Sequence, residues 1–204
     1  MLSGAPLVYG PASNVVSVLL VSFIAAVDCT DDMCKDDGFT LIELLIVVAI
    51  IGILAAIAVP GLLRARMSGN EASAIGSMRT VNSAQVTYAA TCGGDGYAQD
   101  LATLATPPMS GGDAFIGADL SVNGVQKSGY VIALEAGANS VAVRTSANTC
   151  NGTNSFSTYH ATATPGTVGQ TGTRAFATNN SGAIFQNFTG AAIPVTMAGA
   201  QILQ

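Results

Sequence analysis

The sequence predicts an α+β fold: one long N-terminal helix, apolar in its first half and amphipathic in its second, packed on an antiparallel sheet of about four or five strands. Three observations carry this. From Leu44 to Val59 every residue is apolar or glycine, and no charge follows until Arg64. Beyond Arg64 apolar side chains recur at spacings of three and four. Past Ser128 the period changes to two, in short runs separated by turn residues. Only 9% of the 204 residues are charged, against about 25% in an ordinary soluble domain, so Ser, Thr, Asn and Gly must coat the surface. The length admits one domain with an anchor, or two small domains. The chain is acidic overall and has no basic patch, which argues against nucleic acid as a partner.

Residues 1–38 stand apart. They hold five of the twelve acids (Asp28, Asp31, Asp32, Asp36, Asp37) and one of the seven bases, Lys35, which leaves the rest near neutral. Val15 to Val27 has the length of a signal-peptide core but no basic segment before it. Leu44 to Leu63 then forms a helix of about 30 Å, the thickness of a bilayer hydrocarbon core. Glu43, at its head, reads either as an interfacial acid favoured by the positive end of the helix dipole or as an acid with a partner cation.

After Arg64 the helix continues with Ile75, Met78, Val81, Gln85 and Tyr88 on one face and Ala74 and Ala84 between them. Arg64, Arg66, Asn70, Ser73, Ser77 and Thr80 fall largely elsewhere. Arg64 and Arg66 read as interface anchors or as salt-bridge partners for Glu71 of a neighbour. The helix should end near Ala90, before the breakers from Thr91 to Gly96. A short helix is expected from Tyr97 to Leu104, with Leu101 and Leu104 inward and Pro107-Pro108 as its stop. Met109 to Gln126 reads as a Gly-rich connection plugged by Phe115, Ile116, Leu120 and Val122.

Strands follow from Gly129 to Glu135, with Tyr130, Ile132 and Leu134 on one face, and from Ser140 to Thr145, with Val141 and Val143 inward. Further strands fit Ser157–Ala163, Arg174–Thr178 and Ala183–Phe188. Asn179-Asn180-Ser181-Gly182 is the hairpin turn between the last two, and Pro165–Thr173 is a surface loop.

Chemistry-bearing residues are sparse. The one histidine, His160, is expected to be exposed on a strand. There is no Cys-x-x-Cys-His, no phosphate loop and no Gly-x-Gly-x-x-Gly before a helix. Asp95, Asp100, Asp113 and Asp119 lie in loops without EF-hand spacing and read as turn formers rather than calcium ligands. Asn151-Gly152-Thr153 and Asn187-Phe188-Thr189 are glycosylation triplets by pattern alone. Tyr88, Tyr97, Tyr130 and Tyr159 read as packing residues. No cofactor, metal or enzymatic constellation is indicated.

The stretch from Gly38 to Pro60, opening Gly38-Phe39-Thr40-Leu41-Ile42-Glu43-Leu44, resembles the N-terminus of type IV pilins and of type II secretion pseudopilins. The resemblance implies cleavage by a prepilin peptidase between Gly38 and Phe39 and N-methylation of Phe39. It implies that Glu43 pairs with the Phe39 ammonium of a neighbouring subunit, and that Pro60 kinks the helix, which loosens towards Gly52 in a fibre. The expected organisation is a cleaved leader at 1–38, its true start at Met33 or further upstream, a transmembrane and polymerisation helix at 39–63, and a globular domain at 64–204. The order of long helix, loop and antiparallel sheet is also that of a pilin. Ser128-Gly129-Tyr130 and Thr173 to Gly182 resemble, loosely, a pseudopilin-like branch. Cys29 and Cys34 fall in the leader. Cys92 and Cys150 fall in a domain placed outside the cytoplasm, where they form a disulfide or remain two buried thiols.

The implied partners are the prepilin peptidase, the inner membrane, other pilins in a helical filament and a pilus or secretion assembly platform. The domain is expected on the periplasmic side before assembly, and in a surface pilus or a periplasmic pseudopilus after it. The implied function is a structural pilus subunit. The alternatives are a pseudopilin, or a minor pilin that binds DNA or another ligand, although retention of Glu43 weighs against an obligate tip role.

Overall fold

The computed structural model describes residues 39–203. The leader, Gly38, Met33, Cys29 and Cys34 lie outside the described residues. The described chain is one long helix, α1 (Leu41–Tyr88), followed by a short helix α2 (Leu101–Ala105) and eight strands. The chain divides into two compact units between Ile51 and Gly52, a point inside α1.

In the second unit α1 buries Glu71, Ala74, Ser77, Met78, Val81, Ala84, Gln85 and Tyr88, a stripe at helical spacing. Ser77, expected on the polar side, lies under this stripe and returns its hydroxyl to Ser73 O at 3.1 Å. The α-helix passes into a single π turn, Ala89–Gly93. Gly94 ends it in the left-handed region (φ 59°), and its N–H returns to Ala89 O. The short helix begins later than Tyr97. Asp100 is its N-cap and accepts from Thr103 N, while Tyr97 bridges to Phe156 as extended chain.

Strands β1 (Val125–Lys127), β2 (Tyr130–Ala136), β5 (Tyr159–Pro165), β6 (Ala175–Asn179), β7 (Ile184–Asn187) and β8 (Gln201–Ile202) form one antiparallel sheet in the order β1-β2-β5-β6-β7-β8. The sheet has six strands rather than four or five. The two additions, β1 and β8, are its edges, and they are too short to produce an alternating run. Ser128 and Gly129 both take positive φ, 49° and 75°, and close β1 onto β2 as a two-residue hairpin. Gly182 N donates to Asn179 O at 2.9 Å in the β6–β7 turn.

The core lies between the α1 stripe and one face of this sheet. Met78, Val81 and Tyr88 share one core cluster with Tyr130, Ile132, Leu134, Tyr159 and Phe176, with Leu101 and Leu104 of α2 and with the plugs Ile116 and Leu120. Val122 is not a plug; it is 61% exposed.

Two expectations fail here. The segment after β2 does not return beside it with Val141 and Val143 inward. Both edges of β2 are already taken, by β1 and by β5. The segment instead makes β3 (Ala142–Arg144), which pairs with β4 (Ser155–Phe156) in a separate two-stranded sheet, and both valines are exposed. His160 is not exposed; its exposure is 1%. It lies on β5, between β2 and β6. The sheet is covered on this second face too, since Ala175, Ala177 and Ile193 are buried yet lie outside the core cluster. His160 Nδ1 is 2.9 Å from Glu135 Oε1, and its Nε2 has no protein partner among the described residues.

Cys92, in the π turn, is bonded to Cys150, 58 positions on. Asn151 beside it is buried, and its Nδ2 donates to Thr103 O at 2.9 Å, so that glycosylation triplet is closed off. Closing a loop of this length contributes about 4 kcal/mol through the unfolded chain. Replacing both cysteines by Ser should lower the stability read from the denaturant midpoint by about that amount, and reduction of the wild-type chain should reproduce it. Gly129→Ala should cost about 1–2 kcal/mol, because its φ is left-handed and a Cβ would sit 2.8 Å from Thr171 Cβ; a thermal melt reads the loss.

Candidate functional site

The residues singled out from the sequence fall at the start of α1. Thr40 precedes the helix, and its Oγ1 accepts from Glu43 N at 3.3 Å. Thr40-Leu41-Ile42-Glu43 has the spacing of a capping box, a signal that sequence reasoning passed over. The amide half of the box is formed. Glu43 lies in the first turn, where the helix dipole favours an acid, and it has no ion-pair partner among the described residues.

From Phe39 to Arg66 every residue is exposed. Phe39 is 76% exposed, and the large side chains from Leu41 to Leu63 are all between 44% and 82%. A surface of this kind on a water-soluble monomer would drive association. Among the described residues this is the one helix long and apolar enough to cross a membrane. Pro60 lies inside it, and the helix runs through. Pro60 has no N–H, so the carbonyl four residues back, at Ala56, loses its usual partner.

The chain does not bring the site residues together by itself. Phe39 carries a peptide nitrogen as long as it is joined to Gly38, so the ammonium that Glu43 is expected to meet does not exist before cleavage. Pro60 lies further along α1, and Cys92–Cys150 belongs to the domain. Arg64 and Arg66 form no ion pair among the described residues, and Glu71 is not available to them. Its carboxylate is buried and bonded to Arg174 of its own chain at 2.7 Å. Glu71 is thus committed to its own chain, which argues against the reading that pairs these arginines with a neighbour's Glu71.

The tyrosines are packing residues. Tyr88, Tyr130 and Tyr159 are buried, and burial pushes the hydroxyls of Tyr130 and Tyr159 well above the usual tyrosine value. Asp119 pairs with Lys127, and that hydrogen bond holds its carboxyl below the usual range. No three potential metal ligands come together among the described residues.

Residues 33–59 match a family model described as a prokaryotic N-terminal methylation motif. The chain is 44% identical over 54 residues to the type IV major pilin protein PilA of Myxococcus xanthus, covering 26% of this chain and 24% of that one. It is 68% identical over 34 residues to the type IV wide pilus major component PilA4 of Thermus thermophilus, covering 17% of this chain and 26% of that one. The chain thus spans about a quarter of the length of these relatives. No solved structure matches. With this motif, these relatives and an α+β architecture of long helix and antiparallel sheet, the chain is type IV pilin-like.

Proposed function

We propose that the chain is a structural subunit of a type IV pilus-like fibre, made as a precursor and polymerised through α1. Prepilin peptidase cuts between Gly38 and Phe39 and methylates Phe39. Residues 39–63 then hold the subunit in the inner membrane with the domain, 64–204, on the periplasmic side. An assembly platform passes it with other pilins into a helical filament at the cell surface, which serves adhesion, motility or DNA uptake.

The observation that carries this reading is the pairing of an acid, Glu43, with a helix whose apolar surface is exposed on every side. Such a helix is stable in lipid, where its backbone bonds are internal, or among copies of itself. An acid inside either environment is costly unless a cation meets it. Cleavage creates that cation four residues away in sequence, at Phe39. Phe39 precedes α1 and Glu43 lies in its first turn. Between copies they can neutralise each other as both leave the membrane surface. Non-closing head-to-tail contacts of this kind produce filaments.

A type II pseudopilin reading rests on Ser128-Gly129-Tyr130 and Thr173 to Gly182. Those residues have local work in this fold: a two-residue hairpin, the Glu71 contact and the β6–β7 turn. Both curated relatives are described as major pilus components, which favours the pilus.

The mature protein should begin with methylated Phe39 when its intact mass and N-terminal sequence are measured, and a bulky residue at Gly38 should leave the precursor uncut; any other first residue would sink the processing step. Glu43→Leu should keep the protein in the membrane fraction and lower the sheared-fibre fraction by more than about tenfold, the scale expected from leaving one member of a desolvated pair alone. Fibres of normal yield from Glu43→Leu would remove the pairing role.

A further inference from the structure

The β5–β6 ladder matches Ala163 with Phe176; continued by two residues, it sets Arg174 opposite Pro165. Pro165 has no N–H to give, so the ladder stops and side chains complete the bonding of the corner. Tyr130 Oη donates to Arg174 O at 2.7 Å. Glu71 Oε1 accepts from Thr173 N at 2.9 Å, Thr173 Oγ1 at 2.9 Å and Arg174 N at 3.2 Å. Glu71 Oε2 accepts from Arg174 Nε at 2.9 Å and Nη2 at 2.7 Å. One carboxylate, 7% exposed, holds two backbone amides, a hydroxyl and a guanidinium. Beside it Asn70 Nδ2 donates to Thr171 O at 2.9 Å.

We propose that Glu71 is an acid-released latch: its ionised carboxylate clips the Thr173–Arg174 corner onto α1, and protonation frees that corner while the β5–β6 ladder stays formed. An ionised carboxylate offers only acceptors, and here every partner is a donor. Adding a proton places a donor among donors and removes the charge that holds Arg174.

Burial pushes the Glu71 carboxyl up, but the hydrogen bonds from Thr173 and Arg174 and the Arg174 charge together hold it below the usual carboxylate value. The folded value thus lies below the unfolded one. The latch contributes in full above the ordinary carboxylate range and is lost as pH falls through the lowered folded value.

Among the described residues no other acid bonds to this corner, although Asp119 also loses its charge in acid. Tyr130 on β2 stays neutral, its hydroxyl raised by burial and by the Glu71 charge. Lys127 on β1 is committed to Asp119. Glu135 and His160 bond to each other at the far end of the β2–β5 ladder. From Ala175 to Leu203 there is no Asp, Glu, Lys, Arg, His or Tyr, so β6, β7 and β8 add nothing. On α1, Arg66 and Arg79 form no ion pair with Glu71.

Amide hydrogen exchange on the full chain in detergent micelles tests the latch, comparing wild type with Glu71→Gln at pH 7 and at about pH 2.5. At pH 7 the Thr173 and Arg174 amides of the variant should exchange about tenfold or more faster than those of wild type, with Phe176 and Thr178 unchanged. At the lower pH the difference should close. Equal rates at pH 7 would overturn the latch, as would a difference that persists in acid or a loss spread along β6. If Glu71→Gln does not fold, acidification of the wild type decides. Thr173 and Arg174 losing protection before Phe176 and Thr178 supports the latch, and simultaneous loss overturns it.

Discussion

A helix that is apolar on all sides cannot be satisfied by its own chain. From Phe39 to Arg66 every residue is exposed, and between Glu43 and Arg64 the uncovered set is Leu, Ile, Val and Ala with two glycines and one proline. Water is the wrong solvent for that surface. One half of this helix thus needs a second environment, while its other half packs in a folded domain. The change of environment is written into the sequence at Arg64 and Arg66, the first charges after Glu43. Beyond them the stripe Ala74, Met78, Val81, Ala84 and Tyr88 makes the same helix an ordinary core element.

The domain half shows how an amphipathic helix with few charges is fixed in place. Small side chains, Ala74, Ser77 and Ala84, let α1 approach the sheet closely, and polar residues at the margins of the stripe reach for backbone atoms of the loops. Asn82 donates to Gly182 O at 2.9 Å and accepts from Tyr159 Oη and Thr178 Oγ1. Gln85 exchanges two bonds with the backbone of Ala98. The Gln85 bonds satisfy buried polar groups that would otherwise cost stability. The disulfide adds a covalent tie at the end of the helix, where the π turn leaves the α geometry.

What was legible in the sequence follows from which forces act locally. The apolar run, the α1 stripe and the strands carrying Tyr130, Ile132 and Leu134 or Phe176 and Thr178 are periodic, and period reads directly as burial. The hairpin at Asn179–Gly182 was legible for the same reason, since its turn residues flank two such runs. Three features were not legible because they depend on partners distant in sequence. Val141 and Val143 alternate as core strand residues do, yet the edges of β2 were already filled. His160 sits on the central strand β5, between β2 and β6, and its burial is set by those distant neighbours rather than by its own local sequence. Glu71 gives no sign in the sequence of the Thr173 and Arg174 amides, 102 and 103 positions on, from which it accepts. The capping spacing Thr40–Glu43 was legible and was masked by attention to the acid alone. The proposed assembly residues are different again: Phe39 and Glu43 could be named from sequence by resemblance, and a single chain does not hold the contact that the proposal requires.

The edges of the sheet bear on how the domain avoids strand-to-strand association. A six-stranded antiparallel sheet with long open edges would recruit further strands through its backbone. Here β1 has three residues and β8 has two, and β1 carries Lys127. The separate β3–β4 pair is also short and carries a register shift at Ala142/Arg144, which twists an edge away from flat pairing. Edge-to-edge growth is thus blunted at every strand that could support it. Among the described residues the extensive apolar surface that remains uncovered is the first half of α1. If the chain polymerises through that helix, as proposed, short sheet edges add specificity by disfavouring the competing strand-to-strand contact.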